Sequence, residues 1–161
     1  MSGKILDVDE LAKRSAQLRD KGRRLVFTNG CFDLLHVGHV RYLASARALG
    51  DALAVGINGD ESVRILKGPN RPINNEHDRA EVLAALEAVD FVTIFPDQRA
   101  SRVIEAVRPA VYVKGGDYTP ETLNAEERDA LDRIGSEIQI IPFEPGYSSS
   151  RLIKRLGVSS S

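Results

Sequence analysis

Five short apolar runs alternate along the chain with segments of helical periodicity. Each run is rich in Val, Ile and Phe and too short for an independent helix, so we predict strands buried on both faces of a sheet. The predicted strands cover residues 24–30, 51–58, 91–95, 110–116 and 137–143. Alternating strands and helices are typical of an α/β fold, here a Rossmann-like, doubly wound, five-stranded parallel sheet with helices on both faces.

The segments between the strands carry helix start and stop signals. Predicted helices cover residues 7–22, 39–50, 74–89 and 118–135. Gly50 suits the position after a helix C-terminus, and the third helix has an Asn available as its N-cap. In the fourth, Thr119 is the predicted N-cap and Pro120 the first residue of a single helix. The first helix, within residues 1–22, is amphipathic and is expected to pack on the outside of the domain.

The composition is that of one soluble globular domain spanning residues 1–161, with a frayed tail at 157–161. The net charge is −1 and no run of like charges stands out, which argues against nucleic-acid and membrane-surface partners. No apolar stretch could span a bilayer, the N-terminus has no signal-peptide pattern, and the single cysteine, Cys31, excludes an internal disulfide. We therefore expect a cytoplasmic protein that binds neither nucleic acid nor membrane.

Polar, glycine-rich segments follow four of the five predicted strands. In a doubly wound sheet, ligands bind outside the carboxyl ends of the strands, where the strand order reverses. The polar segments are residues 29–39, 58–62, 114–118 and 144–150. The segment after the third strand, residues 96–101, is plainer and is predicted to be an ordinary helix cap. A ligand site is therefore expected at this end of the sheet.

Two histidines, His36 and His39, stand where the first strand gives way to a helix. Their spacing of three puts both rings on one face of the first helical turn, beside its unpaired backbone N–H groups. Gly38 between them lets a bulky group approach the backbone, so the set suits a polyphosphate anion. The alternative is a pair of surface or capping histidines. A zinc site is disfavoured, because His77 and Cys31 lack metal-site spacing.

The motif at residues 29–39 resembles the HxGH signature of the nucleotidyltransferase superfamily, which includes cytidylyltransferases and the pantetheine-phosphate and nicotinate-nucleotide adenylyltransferases. With the motifs at residues 65–92, 112–121 and 143–156, the chain is similar to the heptose 1-phosphate adenylyltransferases over roughly residues 24–156. This resemblance implies the reaction of ATP with D-glycero-β-D-manno-heptose 1-phosphate to give ADP-heptose and pyrophosphate, for lipopolysaccharide inner-core synthesis. It also implies Mg²⁺, held mainly by the ATP phosphates, and a homo-oligomer.

The resemblance implies three groups of site residues. Its catalytic residues would be His36, His39 and Lys67, the last in a glycine-proline loop that closes over phosphates. Its ATP-binding residues would be Asn29, Gly30, Cys31, Phe32, Gly38, Gly115, Gly116, Ser148, Ser149 and Ser150. Its substrate-binding residues would be Asp33, Asn58, Asp60, Arg71 and Asp117, and no protein metal ligand is expected.

Several of these residues have a simpler structural interpretation that the sequence leaves open. Asp33 is equally suited to capping the following helix. For Lys67, the alternative to phosphate binding is a side chain that lies in solvent. Asp117 fits a plain strand-to-helix turn, and Arg79 on the helix after the loop could pair only with acids nearby. Ser148 is the predicted N-cap of the last helix in either case.

Two departures from related patterns bear on the substrate. Three serines stand where the family has Ser-Thr-Thr, which keeps the hydroxyl groups. Residues 143–146 replace the Arg-Thr-Glu-Gly run of glycerol-phosphate-type cytidylyltransferases, which argues against a cytidylyltransferase. No sugar-kinase half is present in this sequence, so we expect a stand-alone enzyme whose sugar is phosphorylated by another polypeptide.

Three other function classes are weighed against this hypothesis. A related adenylyl- or cytidylyltransferase could use a different phosphorylated acceptor on the same scaffold. A non-catalytic nucleotide-binding module would need a degraded site, yet both histidines, Lys67 and the serine run are present. A dinucleotide-binding dehydrogenase is disfavoured, because the first strand–helix turn lacks the G-x-G-x-x-G spacing.

Overall fold

A parallel β-sheet forms the centre of the computed structural model, which describes residues 3–116, 118–142, 146 and 148–157. Its strands are β1 (Leu25–Gly30), β2 (Ala52–Asn58), β3 (Phe91–Phe95), β4 (Val111–Gly115) and β5 (Glu137–Ile141). Their spatial order is β3-β2-β1-β4-β5, and all neighbouring pairs are parallel. The predicted α/β fold is confirmed, and the strand order reverses between β1 and β4.

Helices cover both faces of the sheet. They are α1 (Val8–Asp20), α2 (Val37–Arg47), α3 (Asp60–Lys67), α4 (Glu76–Ala84), α5 (Ser101–Val107), α6 (Ala125–Ile134) and α7 (Ser149–Arg155). One apolar cluster joins α1, α5 and α6 to the sheet, and the other joins α2 and α4 to its opposite face. Side chains of β1 alternate between the clusters, with Phe27 in the first and Val26 in the second, as strand geometry requires.

The helix N-terminal caps explain where two of the helices begin. Asp7 caps α1 by accepting a hydrogen bond from Glu10 N at 2.8 Å. Asn75 caps α4 by accepting one from Asp78 N at 2.9 Å, so the predicted asparagine cap is confirmed. The apolar strands and polar caps together set most element boundaries to within one or two residues of the predicted ones.

The single helix predicted from Thr119 is wrong. Thr119 precedes only a short 3-10 turn, Pro120–Thr122, and the chain is extended again at Leu123. A second cap, Asn124, then starts α6 by accepting a hydrogen bond from Glu127 N at 3.2 Å. Leu123 is buried in the core, and we infer that this burial and the competing asparagine cap divide the predicted helix in two.

Gly50 is not the residue that ends α2, because that helix finishes at Arg47 with Ala48 as its C-cap. A Cβ atom at Gly50 would lie 2.7 Å from Val26 Cγ2 and 2.8 Å from the carbonyl oxygen of Arg24. The glycine therefore permits a close approach of the α2–β2 connection to β1. None of the helices in the described part of the chain is long and apolar enough to cross a membrane. Residues 143–145 and the predicted tail beyond residue 157 lie outside the described residues.

Leu43 and Val40 on α2 provide a matched test of which face of this helix stabilises the fold by packing against the sheet. Leu43 is fully buried, whereas Val40 is 45% exposed. We expect Leu43→Ala to lower the free energy of unfolding by about 2–5 kcal/mol, because it leaves a cavity against the sheet. Val40→Ala is expected to change it by less than about 0.5 kcal/mol. Urea denaturation measures both, and equal losses would contradict the assignment of the two faces.

Candidate active site

A cavity of about 520 Å³ opens at the carboxyl ends of the strands, where the strand order reverses. The predicted site residues that line it are Asn29, Gly30, Cys31, Phe32, Asp33, His36, Gly38, His39, Asn58, Lys67, Arg71, Gly115, Ser148 and Ser150. Gly116 and Asp60 are described but do not line it. Asp117 and the side chain of Ser149 lie outside the described residues. Five separate segments of the chain thus meet at one opening.

The histidine pair forms the N-terminus of α2 and also faces this cavity. His36 is the N-cap residue and His39 is the third helical residue, with ring centroids 3.9 Å apart. His39 Nδ1 accepts a hydrogen bond from the backbone N–H of His36 at 3.3 Å. Neutral His39 therefore carries its proton on Nε2 and can act as a donor there. The capping and ligand-binding interpretations of the pair are compatible.

Both rings are neutral at physiological pH. Burial lowers the pKa of His39 to about 4, with the neighbouring His36 adding a smaller effect in the same direction. Burial also lowers the pKa of His36. Neutral rings can pack 3.9 Å apart without charge repulsion. An anion placed against them would favour protonation and strengthen their hydrogen bonds.

Phe32 fixes the position of His39 from the preceding loop. Its backbone has φ +49°, a left-handed conformation that is uncommon outside glycine. This conformation brings the Phe32 ring centroid to 5.4 Å from that of His39. A Cβ at Gly30 would meet the same ring at 3.0 Å, so the glycine leaves room for it. The left-handed backbone at Phe32 and the absence of a side chain at Gly30 thus both allow the Phe32 ring to lie beside His39.

Asp33 is a buried anchor for the segment that connects α3 to α4. Its carboxylate accepts hydrogen bonds from Arg71 Nε at 2.8 Å, Ile73 N at 2.8 Å and Asn74 N at 2.9 Å. The side chains of Asp33 and Arg71 are 0% and 3% exposed. Asp33 is not the N-cap of α2, since His36 holds that position. Substrate contacts for this pair stay predictions; both carboxylate oxygens of Asp33 and the Nε of Arg71 already have partners within the protein.

Arg79 on α4 is buried, although the sequence offers only a pairing with nearby acids for it. Its guanidinium donates to the carbonyl oxygens of Cys31, Asn58 and Asn74 at 2.8–2.9 Å. It also forms an ion pair with Asp60 at 2.8 Å, which accounts for the position of Asp60 outside the cavity lining. The predicted pairing with a nearby acid is correct, but its partner lies on α3. No sequence signal shows that this arginine joins three separate backbone segments.

Asn58 and Asn29 are held by hydrogen bonds at the cavity floor. Asn58 Nδ2 donates to Ser62 Oγ at 3.0 Å and to the carbonyl oxygen of Asp97 at 3.2 Å. Tyr112 donates its hydroxyl proton to Asn29 Oδ1 at 2.6 Å. Both amides are therefore oriented before any ligand arrives.

Lys67 and the α7 N-terminus stand at other points of the cavity lining. Lys67 is the last residue of α3, so its predicted placement in a loop is wrong by one residue, because the helix ends only at Gly68 with φ +110°. Ser148 is the N-cap of α7 and accepts a hydrogen bond from Arg151 N at 3.0 Å, as predicted. Lys67 is exposed, and its cation can reach a ligand in the cavity.

The segment after β3 contributes more than the predicted plain helix cap. Gln98 and Arg99 line the cavity, and so does Glu127 from α6. Ala100 is the N-cap of α5 and has no capping side chain, and Glu127 Oε2 instead accepts the Ala100 N–H at 2.9 Å. Sequence reasoning missed all three residues. Glu127 was not predictable because the residue that it caps lies 27 positions away in the chain.

A metal held chiefly by protein side chains does not fit the described residues. They contain no group of three or more His, Cys, Asp or Glu side chains that could hold an ion. Asp33, the carboxylate nearest the histidine motif in sequence, has its oxygens bound by three internal donors. Any Mg²⁺ would therefore depend on ligand phosphates for most of its coordination.

The sequence profile of the cytidylyltransferase-like family matches residues 27–155. The chain belongs to this family. The predicted nucleotidyltransferase class is therefore confirmed at the level of the family. The matched region includes all the described residues that line the cavity.

Curated relatives of this cytidylyltransferase-like chain are longer proteins. The bifunctional protein HldE of Geotalea uraniireducens (strain Rf4) is 48% identical over 98% of this chain and 32% of that relative. HldE of Bradyrhizobium sp. (strain ORS 278) is 52% identical over 94% of this chain and 31% of that relative. The chain thus spans about a third of the length of these relatives.

Solved structures share the fold. The lipopolysaccharide core biosynthesis protein from Thermoplasma volcanium GSS1 has a TM-score of 0.62 and 26% identity, covering 76% of this chain and 98% of that one. The pantoate-beta-alanine ligase from Francisella tularensis has a TM-score of 0.61 at 15% identity, covering 99% of this chain and 74% of that one, and shows the fold alone.

Asp33→Asn tests the anchoring of the α3–α4 connection. The substitution takes away the charge that the Arg71 guanidinium pairs with and places an amide against three donors. We expect a loss of about 3–5 kcal/mol in the free energy of unfolding. We also expect faster hydrogen exchange at the Ile73 and Asn74 amides. Asp129→Asn, at an exposed position on α6, is the control. Equal hydrogen-exchange protection of the Ile73 and Asn74 amides in both variants would contradict the role of Asp33 as an anchor.

His39 is expected to make stability depend on pH. Its pKa is about 4 in the folded chain and near 6.5 when unfolded, so between these values the unfolded chain binds a proton that the folded chain does not. The contribution of neutral His39 to the free energy of unfolding is therefore fully present above pH 6.5 and falls as the pH drops toward 4. Relative to wild type, His39→Gln should gain stability as the pH falls through this range.

Urea denaturation at a series of pH values measures this difference. His77→Gln is the control, because the His77 side chain is 82% exposed and lies away from the pair. An NMR titration of the His39 ring gives a direct check. A midpoint near 6.5 would show that burial does not hold the ring neutral.

Proposed function

We propose that this chain transfers the adenylyl group of ATP to D-glycero-β-D-manno-heptose 1-phosphate, giving ADP-heptose and pyrophosphate for lipopolysaccharide inner-core synthesis. The observation that carries the proposal is the neutral His36–His39 pair at the α2 N-terminus, facing a cavity at the sheet's reversal point. The motif resemblance to heptose 1-phosphate adenylyltransferases supplies the substrates. The similarity to HldE proteins and to a lipopolysaccharide core biosynthesis protein supports them.

The reaction needs positioning and charge neutralisation rather than an enzyme nucleophile. An oxygen of the sugar 1-phosphate attacks the α-phosphorus of ATP, and the bond from that phosphorus to the α,β-bridging oxygen breaks, releasing pyrophosphate. Cys31, the single cysteine of the sequence, lines the cavity, and burial raises its pKa, so its thiol stays protonated. Covalent catalysis by Cys31 is therefore disfavoured.

The histidines are suited to the charge that develops during the attack. His36, Gly38 and His39 from the start of α2 all line the cavity, and His39 carries its proton on Nε2. Donors fixed in place before the reaction stabilise developing negative charge without reorganising. Lys67 from α3 would neutralise charge on the remaining phosphates, and Ser148 and Ser150 from α7 would donate hydrogen bonds to them. Mg²⁺ would enter with those phosphates and add charge neutralisation.

Homo-oligomerisation and a cytoplasmic location remain predictions. The nearest alternative function is a transferase that uses CTP or a different phosphorylated acceptor. The family match by itself does not separate these substrates. The replacement at residues 143–146, of which 143–145 lie outside the described residues, argues for ATP on the sequence pattern alone.

Pyrophosphate release tests the proposed substrates. The purified chain is incubated with Mg²⁺ and either ATP or CTP, together with heptose 1-phosphate or another sugar phosphate. We expect release with ATP and heptose 1-phosphate and much less with the other pairs. Absence of release with this pair would refute the proposed reaction, and release with CTP or with another acceptor would identify the alternative.

His39→Ala tests the role of the histidine pair. Loss of one preorganised donor is expected to lower kcat about 100-fold or more while the fold is retained. His77→Ala is the matched control, because it removes the exposed third histidine of the chain. A non-catalytic nucleotide-binding module would show no turnover in the wild type. Equal kcat values in the two variants would contradict the assignment of His39.

A further inference from the structure

Glu127 places a buried carboxylate in the lining of the active-site cavity. It lies in the first turn of α6 and is 5% exposed. Its Oε2 accepts the Ala100 N–H at 2.9 Å, so the side chain joins the N-terminus of α6 to that of α5. Two helix N-termini thus hold this carboxylate in one orientation, and their dipoles favour its charge.

Capping α5 does not account for the whole of this side chain. Among the described residues, Ala100 is the only hydrogen-bond partner of the Glu127 side chain, which leaves Oε1 with capacity to accept. Its neighbour Glu126 bonds to Ser101 Oγ at 2.9 Å and lies outside the cavity lining. A buried carboxylate is costly unless its oxygens find donors, so a ligand donor would complete the environment of Glu127.

The charged side chains around the cavity indicate which kind of ligand donor Glu127 would bind. The described cationic side chains of the lining are Lys67, Arg71, Arg99 and Lys114. Arginine and lysine suit phosphates, but a sugar hydroxyl group also needs acceptors. Its described carboxylates are Asp33 and Glu127, and the oxygens of Asp33 are already bound by three internal donors. Glu127 is therefore the described charged acceptor with capacity for a hydroxyl group.

The fold places Glu127 apart from the phosphate-binding groups. The histidines stand on α2, which packs on one face of the sheet, whereas α6 packs on the other. Both reach the same cavity across the point where the strand order reverses. A ligand with a phosphate against the histidines could therefore extend a sugar ring toward Glu127.

We propose that Glu127 is a specificity-determining residue that binds hydroxyl groups of a sugar ring in the cavity. The inference rests on the proposed nucleotidyltransferase reaction, in which two sugars are present. These are the ribose of ATP and the acceptor sugar, and both offer the same hydroxyl chemistry. The experiment separates them.

Glu127→Gln is the test variant, and Glu126→Gln is its matched control. Glutamine keeps an amide oxygen for the Ala100 N–H but presents an NH₂ donor in place of the second acceptor. We expect KM for the ligand bound by Glu127 to rise about tenfold or more, with kcat changing much less. Glu126→Gln should keep wild-type kinetics, because that side chain does not line the cavity.

Binding measured by calorimetry identifies the sugar without requiring turnover. If Glu127 binds the ribose, the variant loses affinity for ATP, and 2′-deoxy-ATP or 3′-deoxy-ATP binds the wild type as weakly as it binds the variant. If it binds the acceptor, affinity for ATP is unchanged and affinity for heptose 1-phosphate falls. If the Glu127→Gln variant binds both ATP and heptose 1-phosphate with wild-type affinity, the inference is overturned.

A turnover measurement and a second variant separate a failure of the proposed reaction, or a loss of the fold, from a failure of the inference about Glu127. If the wild type binds ATP but releases no pyrophosphate with heptose 1-phosphate, the proposed reaction fails, and the two affinities still decide the role of Glu127. Glu127→Asp is the second variant in case glutamine weakens the α5 cap and lowers the thermal midpoint. Aspartate keeps the charge but withdraws it by one methylene, so a folded Glu127→Asp with wild-type affinity for both ligands also overturns the inference.

Discussion

The buried guanidinium of Arg79 is the interaction on which the site's geometry depends. A fully buried charge is tolerated only where its donors are satisfied. Arg79 meets this condition by bonding the backbone just after β1, the end of β2 and the segment that leads into α4, and by pairing with Asp60 at the start of α3. One side chain therefore sets the distances among four separate segments. The cavity floor lies between them, so its shape is determined before a ligand binds.

Asp33 completes this framework from the opposite direction. It comes from the loop after β1 and holds Arg71 and two backbone N–H groups of the α3–α4 connection. Because α3 lies between the contacts of Arg79 and those of Asp33, Lys67 at its end is carried by a fixed element. The internal charges of this region largely neutralise one another. Among the groups that remain available to a ligand are the neutral His39 imidazole and the exposed Lys67.

The sequence predicts those features of the fold and site that depend on local patterns. Strands buried on both faces leave continuous apolar runs, and polar segments after parallel strands meet at one edge, so the sheet and the position of the cavity follow from the pattern. The His36–His39 contact follows from a spacing of three residues at a helix start, where an N-cap residue meets the third helical residue. Arg79 and Glu127 could not be predicted, because each caps backbone that is distant in sequence. The predicted start of α6 is wrong because Thr119 and Asn124 can both act as local caps, and the burial of Leu123 favours the later one.

The reversal of strand order explains why residues of such different chemistry share one cavity. The helix after β1 must pack on one face of the sheet, and the helices before and after β4 pack on the other, so their N-termini approach the same opening from both sides. The α2 side supplies neutral N–H donors, which suit phosphate oxygens. The α5–α6 side supplies the Glu127 carboxylate, an acceptor that would repel phosphate and attract hydroxyl groups. A sugar phosphate, the proposed acceptor, carries both kinds of group and could bind to the two walls together. On that proposal, the topology would orient such a ligand as well as bind it.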